Sequence, residues 1–193
     1  MSTGTSRPRN AAATREAILA SAIRNFARAG YDGVGVREIA GDAGVTAMLV
    51  NRYFGSKEQL FAEAVETSFA PAVFISESPQ SLTRDAASSL VSRSAPDADE
   101  LMPFLILIRS ASNPRATELV RDAIERHVGK RLTSQLPEPG ARLRSDVALS
   151  LISGVLLMRR VVGARAMNLK NAPDQLAKLL EAVLDTIVET PLS

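Results

Sequence analysis

The stretch from Val36 to Phe61, VREIAGDAGVTAMLVNRYFGSKEQLF, constrains this chain more tightly than any other part of it. Ile39, Ala43, Val45 and Val50 form an apolar set at helical spacing on either side of Gly44. Ala40 is small enough for a second helix to approach closely. Glycine at 44 suits the left-handed turn that a residue with a Cβ adopts only at a cost. Two short helices crossing steeply satisfy all of these requirements in one window, which is the helix-turn-helix arrangement. A helical hairpin with no nucleic-acid role is the blander reading of the same residues.

The remaining periodicity is helical too, and no run alternates convincingly as a strand. Thr14 is expected to cap a helix whose stripe is Ile18, Leu19, Ala22, Ile23 and Phe26, stopped by Gly30. Gly35 and Thr46 are the expected N-caps of the next two helices. Ser56 with Gln59 gives a capping-box pattern ahead of Leu60, Phe61, Ala64, Val65 and Phe69. Further helices are expected around Leu82 to Leu90, from Glu100 to Ser112 behind Pro96 and Asp97, and from Asn113–Pro114 through Leu132. After the PEPG break at 137–140 a long apolar helix runs to about Met167, and a last one opens at Pro173. The expected class is all-α with about nine helices. A flexible basic arm, 1–13, precedes a helix-turn-helix domain, 14–60, and a helical domain, 61–193.

Composition removes several function classes. With no cysteine and a single His127, neither a disulfide framework nor a Cys or His metal cluster can form, and no cofactor is implied. No phosphate-binding glycine loop, nucleophile elbow or metal-ligand spacing is present. The GYDGVG run at 30–35 has the wrong spacing for a dinucleotide fingerprint, and Asp97 with Glu100 fits a helix start better than catalysis. The opening MSTGTSRPRN lacks the apolar core of a secretory signal. Val147 to Met158 is too short to span a bilayer. A cytoplasmic protein with no membrane partner is expected.

Charge is placed unevenly. Residues 1–60 hold eight Lys/Arg against five Asp/Glu, while the remainder holds fifteen against sixteen. Arg7, Arg9 and Arg15 precede the first acid. That asymmetry suits an N-terminal nucleic-acid contact, although a basic tail is as often a solvated end.

From Thr14 to Phe61 the chain resembles the TetR family of bacterial regulators. The resemblance rests on the first helix ending FARAGY, the VREIAGDAGV turn and the closing YFGSKEQLF. Beyond Phe61 only the helical architecture is similar. The resemblance implies that Thr46, Ala47, Met48, Asn51 and Arg52 lie on a recognition helix near base edges or flanking phosphates. It also implies that Tyr53 and Lys57 grip the DNA backbone and that Arg37 contacts phosphate or base. The family often has Tyr where Asn51 stands. Asn51 could read adenine, contact phosphate or simply face solvent, and Met48 offers apolar contact, to a thymine methyl or to the interior.

The resemblance further implies a homodimer on a pseudo-palindromic operator, built from the last two helices packed as a four-helix bundle. Leu156, Leu180, Val183, Leu184 and Ile187 are the interface candidates. The helix from Ala141 is apolar on more than one side, which independently suggests burial by a partner, or else a central place in a monomeric bundle. Gly154 and Gly163 would permit close approach. Phe69, Phe74, Met102, Phe104, Leu105, Ile108, Leu151 and Val155 are candidates to line a cavity for an unknown, mostly apolar effector; ordinary core packing accounts for them equally. His127 could serve a ligand or a structural hydrogen bond. Arg159 and Arg160 need solvent or acids, with Glu181 and Asp185 as candidates. The expected function is a DNA-binding regulator, a repressor released by that effector. A regulator without a ligand and a helical adaptor are the alternatives.

Overall fold

The computed structural model describes residues 6–70, 81–95 and 101–192, with side chains from residue 11 onward. Among them are ten α-helical segments and no strand: α1 (Ser6–Ala29), α2 (Val36–Asp42), α3 (Ala47–Phe54), α4 (Lys57–Phe69), α5 (Leu82–Arg93), α6 (Met102–Ser110), α7 (Pro114–Ile124), α8 (Lys130–Thr133), α9 (Ala141–Leu156) and α10 (Ala172–Glu189). A π turn, Glu125–Gly129, joins α7 to α8 without a break, so counting that run once gives nine helices. None is long and apolar enough to cross a membrane.

Three boundaries differ from the sequence expectation. The first helix begins at Ser6, so Thr14 lies inside it and the residues from Ser6 to Ala13, expected to belong to the arm, are helical. Pro8 is tolerated in a first turn, and Ala11, Ala12 and Ala13 are the strongest helix formers available. The sixth helix spans Met102–Ser110, ending two residues before the expected Ser112; Glu100, its expected start, and the preceding Pro96 and Asp97 lie outside the described residues. The helix from Ala141 passes into a π turn, Leu157–Val162, and stops at Gly163, which is left-handed at φ 72°. Gly163 is therefore a C-cap, and a separate 3₁₀ turn covers Arg165–Asn168.

The chain packs as two compact units, Met1–Ala70 with Met102–Ala123, and Pro71–Leu101 with Ile124–Ser193. In the first, α1 lies against α2, α4 and α6. Its centre is aromatic: Phe26 and Phe61 meet edge to face at 4.9 Å, and Tyr31 meets Phe61 at the same distance. Such pairs are worth about 0.5–1.5 kcal/mol each beyond the area they bury. Polar contacts hold the α6–α7 corner to the α1–α2 turn. The Tyr31 amide donates to Ser110 Oγ at 3.0 Å, and Asn113 Nδ2 donates to Asp32 Oδ1 at 2.9 Å. Asn113 Oδ1 also caps α7 by accepting from the Ala116 amide.

In the second unit, Leu82, Ala86 and Leu90 of α5, Ile152, Val155 and Leu156 of α9, and Leu180 and Leu184 of α10 are buried, and α10 packs on α5 and α9. Arginines close helix C-termini in both units. Arg109 donates to the Ala27 carbonyl at the end of α1, Arg144 to the Ile187 and Thr190 carbonyls at the end of α10, and Arg160 to the Ala95 carbonyl. Arg159, almost fully buried, donates to the Val91 carbonyl and Ser94 Oγ at the end of α5. Burial and the adjacent Arg160 push its guanidinium pKa down. Of the acids expected for this pair, Glu181 pairs instead with Arg84 at 3.0 Å. Helix-end carbonyls, with their partial negative charge, take the place of a carboxylate.

Gly30 sits at φ +74°, and a Cβ there would fall 2.1 Å from the Arg109 carbonyl oxygen. Gly30→Ala should cost more than about 2 kcal/mol in chemical denaturation, of which about 1–2 is the left-handed backbone alone. A loss under half that would mean the α1–α2 turn and α6 separate easily.

Candidate nucleic-acid interface

The turn between α2 and α3 is fixed by main-chain bonds. The Val45 amide donates to the Ala40 carbonyl at 2.9 Å and the Gly44 amide to that of Gly41 at 3.0 Å, the paired pattern of a Schellman cap. Gly44 supplies the left-handed residue it needs, at φ +68°. Gly35 precedes α2 without a side-chain bond, and Thr46 caps α3, its hydroxyl accepting from the Leu49 amide at 3.3 Å. Ile39, Ala40 and Val50 are buried at the crossing. Ala43 and Val45 are half-buried.

A polar seam fastens α2 to α1. Ser21 Oγ donates to the Ile39 carbonyl at 2.9 Å, and Asn25 Nδ2 donates to Asp42 Oδ2 at 2.8 Å. Arg28 donates to Asn25 Oδ1 and pairs with Glu38. Ser21 and Asn25 are both buried, four residues apart on the stripe read as purely apolar. Their spacing was the available signal, because two polar residues on a core face must find partners there.

With α3 held this way, Val50 and Phe54 face inward. Met48, Asn51 and Arg52 share the opposite face at i, i+3 and i+4. All three are exposed, Met48 at 81%. Among the described residues Asn51 and Arg52 make no side-chain hydrogen bond or ion pair. Thr46 and Arg37 are exposed, and Ala47 and Tyr53 half-buried. Ser56 caps α4 by accepting from the Gln59 amide at 3.1 Å. In the first turn of α4, Lys57 lays its ammonium 4.6 Å above the Tyr31 ring. Burial, then Glu58 and Asp32, push the Tyr31 phenol pKa up. Hydrogen bonds to Glu58 and Glu118 raise the Arg115 pKa. Tyr31, Glu58 and Arg115 were not singled out from sequence as parts of this face.

The other candidates are dispersed. Phe69, Met102 and Leu105 are half-buried in the first unit, Phe104 is buried there and Ile108 is partly exposed; Leu151 and Val155 belong to the second unit, and Phe74 lies outside the described residues. His127 is half-buried in the π turn after α7. Of the interface candidates, Leu156, Leu180 and Leu184 are covered by their own unit, Ile187 is half-buried and Val183 is 45% exposed. The large exposed apolar side chains on α9 and α10 include Leu143, Val147, Leu179 and Val183.

Two helices set around a left-handed glycine, with an uncommitted polar face on the second, define a helix-turn-helix protein. Residues 18–64 match the family described as bacterial regulatory proteins, tetR family, and residues 81–188 match the tetracyclin repressor-like C-terminal domain. The chain belongs to the TetR family of DNA-binding transcriptional regulators. Among curated proteins it is 26% identical to the HTH-type transcriptional regulator BetI of Agrobacterium fabrum over 181 residues, 82% of each chain. Among solved structures, a transcriptional regulator from Rhodococcus sp. Rha1 superposes with a TM-score of 0.67 at 23% identity, covering 91% of this chain and 96% of that one. The multidrug binding protein EbrR, complexed with ethidium, superposes at 0.69 with 17% identity, covering 93% and 99%.

Thr46→Ala removes the α3 cap and should lower stability by about 1 kcal/mol in a urea titration. An unchanged midpoint would show that the Thr46 hydroxyl does not hold the start of this helix.

Proposed function

We propose that this protein is a homodimeric repressor of the cytoplasm that reads a pseudo-palindromic operator with α3 and leaves it on binding a small, mostly apolar effector. The observation that carries the DNA reading is the exposed, uncommitted face of Met48, Asn51 and Arg52 on a helix capped and buried on its other side. In this reading the α3 stretch from Thr46 to Arg52, Ala47 included, reaches bases, while Arg37, Tyr53 and Lys57 hold phosphates. The capped N-terminus of α4 adds amide donors and a positive dipole end beside Lys57. Lys57→Ala should weaken all duplexes alike and reduce the slope of log affinity against log salt by about one unit. A changed sequence preference at constant slope would reverse the roles assigned here. Footprinting on a selected duplex should show two protected half-sites.

The dimer reading is supported by a face the protein leaves apolar. On α9 and the π turn that continues it, Leu143, Val147, Gly154 and Met158 follow one another near helical spacing, with open space above Gly154. On α10, Leu179 and Val183 stand one turn apart. A two-fold axis passing between such helices would cover both stripes at once. Leu179 is 66% exposed while Leu180 is 4% exposed, so the two separate association from folding. Leu179→Glu should give a folded protein that sediments as a monomer at micromolar concentration, whereas Leu180→Glu should lose the fold. A Leu179→Glu protein still dimeric would place the interface elsewhere.

Effector release is supported by the fold shared with EbrR, whose structure holds ethidium. Hundredfold release needs an effector that prefers the released conformation by roughly 2.7 kcal/mol. Thermal-shift screening of apolar compounds, followed by DNA-release assays on the hits, tests this. If no compound does both, a regulator governed by its abundance alone remains.

A further inference from the structure

Glu58 is the acid of the first turn of α4. A carboxylate suits a helix N-terminus, yet here it stands beside Lys57, where a DNA phosphate would dock. Left alone it would oppose the phosphate and compete for the ammonium. The protein arranges both groups otherwise. Lys57 lies over the Tyr31 ring and makes no ion pair among the described residues. Glu58 is taken by Arg115, from the first turn of α7, with Nε donating to Oε1 at 2.8 Å. The same guanidinium donates through Nη1 to Glu118 at 2.9 Å. Arg115 is exposed, so it fills no core space, and it belongs to the same compact unit as α4 although 57 residues separate it from Glu58.

We propose that Arg115 is a positioning residue for DNA binding, which holds and neutralises the Glu58 carboxylate so that Lys57 meets a phosphate without a competing anion beside it. The proposal rests on the reading of Lys57 as a phosphate contact. An uncompensated carboxylate about 7 Å from a phosphate, in water-like dielectric, weakens binding about threefold. Added salt screens that penalty.

The test is a double-mutant cycle read on DNA. Full-length wild type, Arg115→Ala, Glu58→Gln and the double variant are titrated onto a mixed-sequence duplex at about 50 mM and about 200 mM salt. Thermal melts run alongside, where an exposed ion pair should barely register. Arg115→Ala should bind about threefold more weakly at low salt, with a smaller deficit at high salt. Glu58→Gln in that background should return affinity to the level of Glu58→Gln alone, and Arg115→Lys, which keeps the charge, should stay near wild type. If the double variant remains as weak as Arg115→Ala, or Glu118→Gln rescues where Glu58→Gln does not, Arg115 acts on DNA or on α7 directly and the proposal falls. Wild-type affinity in Arg115→Ala overturns it too. A wild-type protein that binds no duplex would instead remove the DNA-contact reading beneath it, a result distinguishable from all the others.

Discussion

The edge-to-face contact between Phe26 and Phe61 is the point from which the first unit is organised. Both rings are fully buried, and they join the end of α1 to the first turns of α4. Tyr31 extends the cluster to the surface, its ring set edge to face with that of Phe61 and lying under the Lys57 ammonium. The aromatic core thus continues without interruption into the surface proposed to meet nucleic acid. The polar seam through Ser21 and Asn25 then sets α2 against α1, and the Gly44 cap sets α3 against α2. Each step fixes the next, so the direction in which Asn51 and Arg52 point follows from packing some distance from them.

Local chemistry was the legible part of the sequence. The caps at Thr46, Ser56 and Asn113 and the turn at Gly44 depend on residues a few positions apart, and those were readable. Fold class and family were legible for the same reason. Partners distant in sequence were not. Nothing near Glu58 announces Arg115, and nothing near Arg159 indicates that its acceptors are the Val91 carbonyl and the Ser94 hydroxyl at the end of α5 rather than Glu181 or Asp185. Carbonyl acceptors leave no trace in residue identity, whereas carboxylates do, so a reading from sequence looks for acids by default.

The apolar stripes of α9 and α10 show a different limit. Leu179 and Leu180 are chemically identical and about 100° apart around the helix, yet one is solvated and the other enclosed. Periodicity shows that both belong to a broad apolar arc. Only the position of α5 and α9 decides which edge of that arc the chain itself covers. Three of the five interface candidates, Leu156, Leu180 and Leu184, are covered by the chain itself, whereas Leu143, Val147 and Leu179 are exposed.

The arginines that close helix ends bear on how this scaffold can drift over time. Arg144 grips the oxygens of Ile187 and Thr190, and Arg109 that of Ala27; every residue type carries the same oxygen. The fastening is therefore indifferent to which side chains occupy the gripped positions. Mutations there change the outward surface of α10 while the joint to α9 stays intact, and only the arginine itself is held constant. A lineage can in this way revise what its last helix presents to the outside without first having to rebuild the core beneath it.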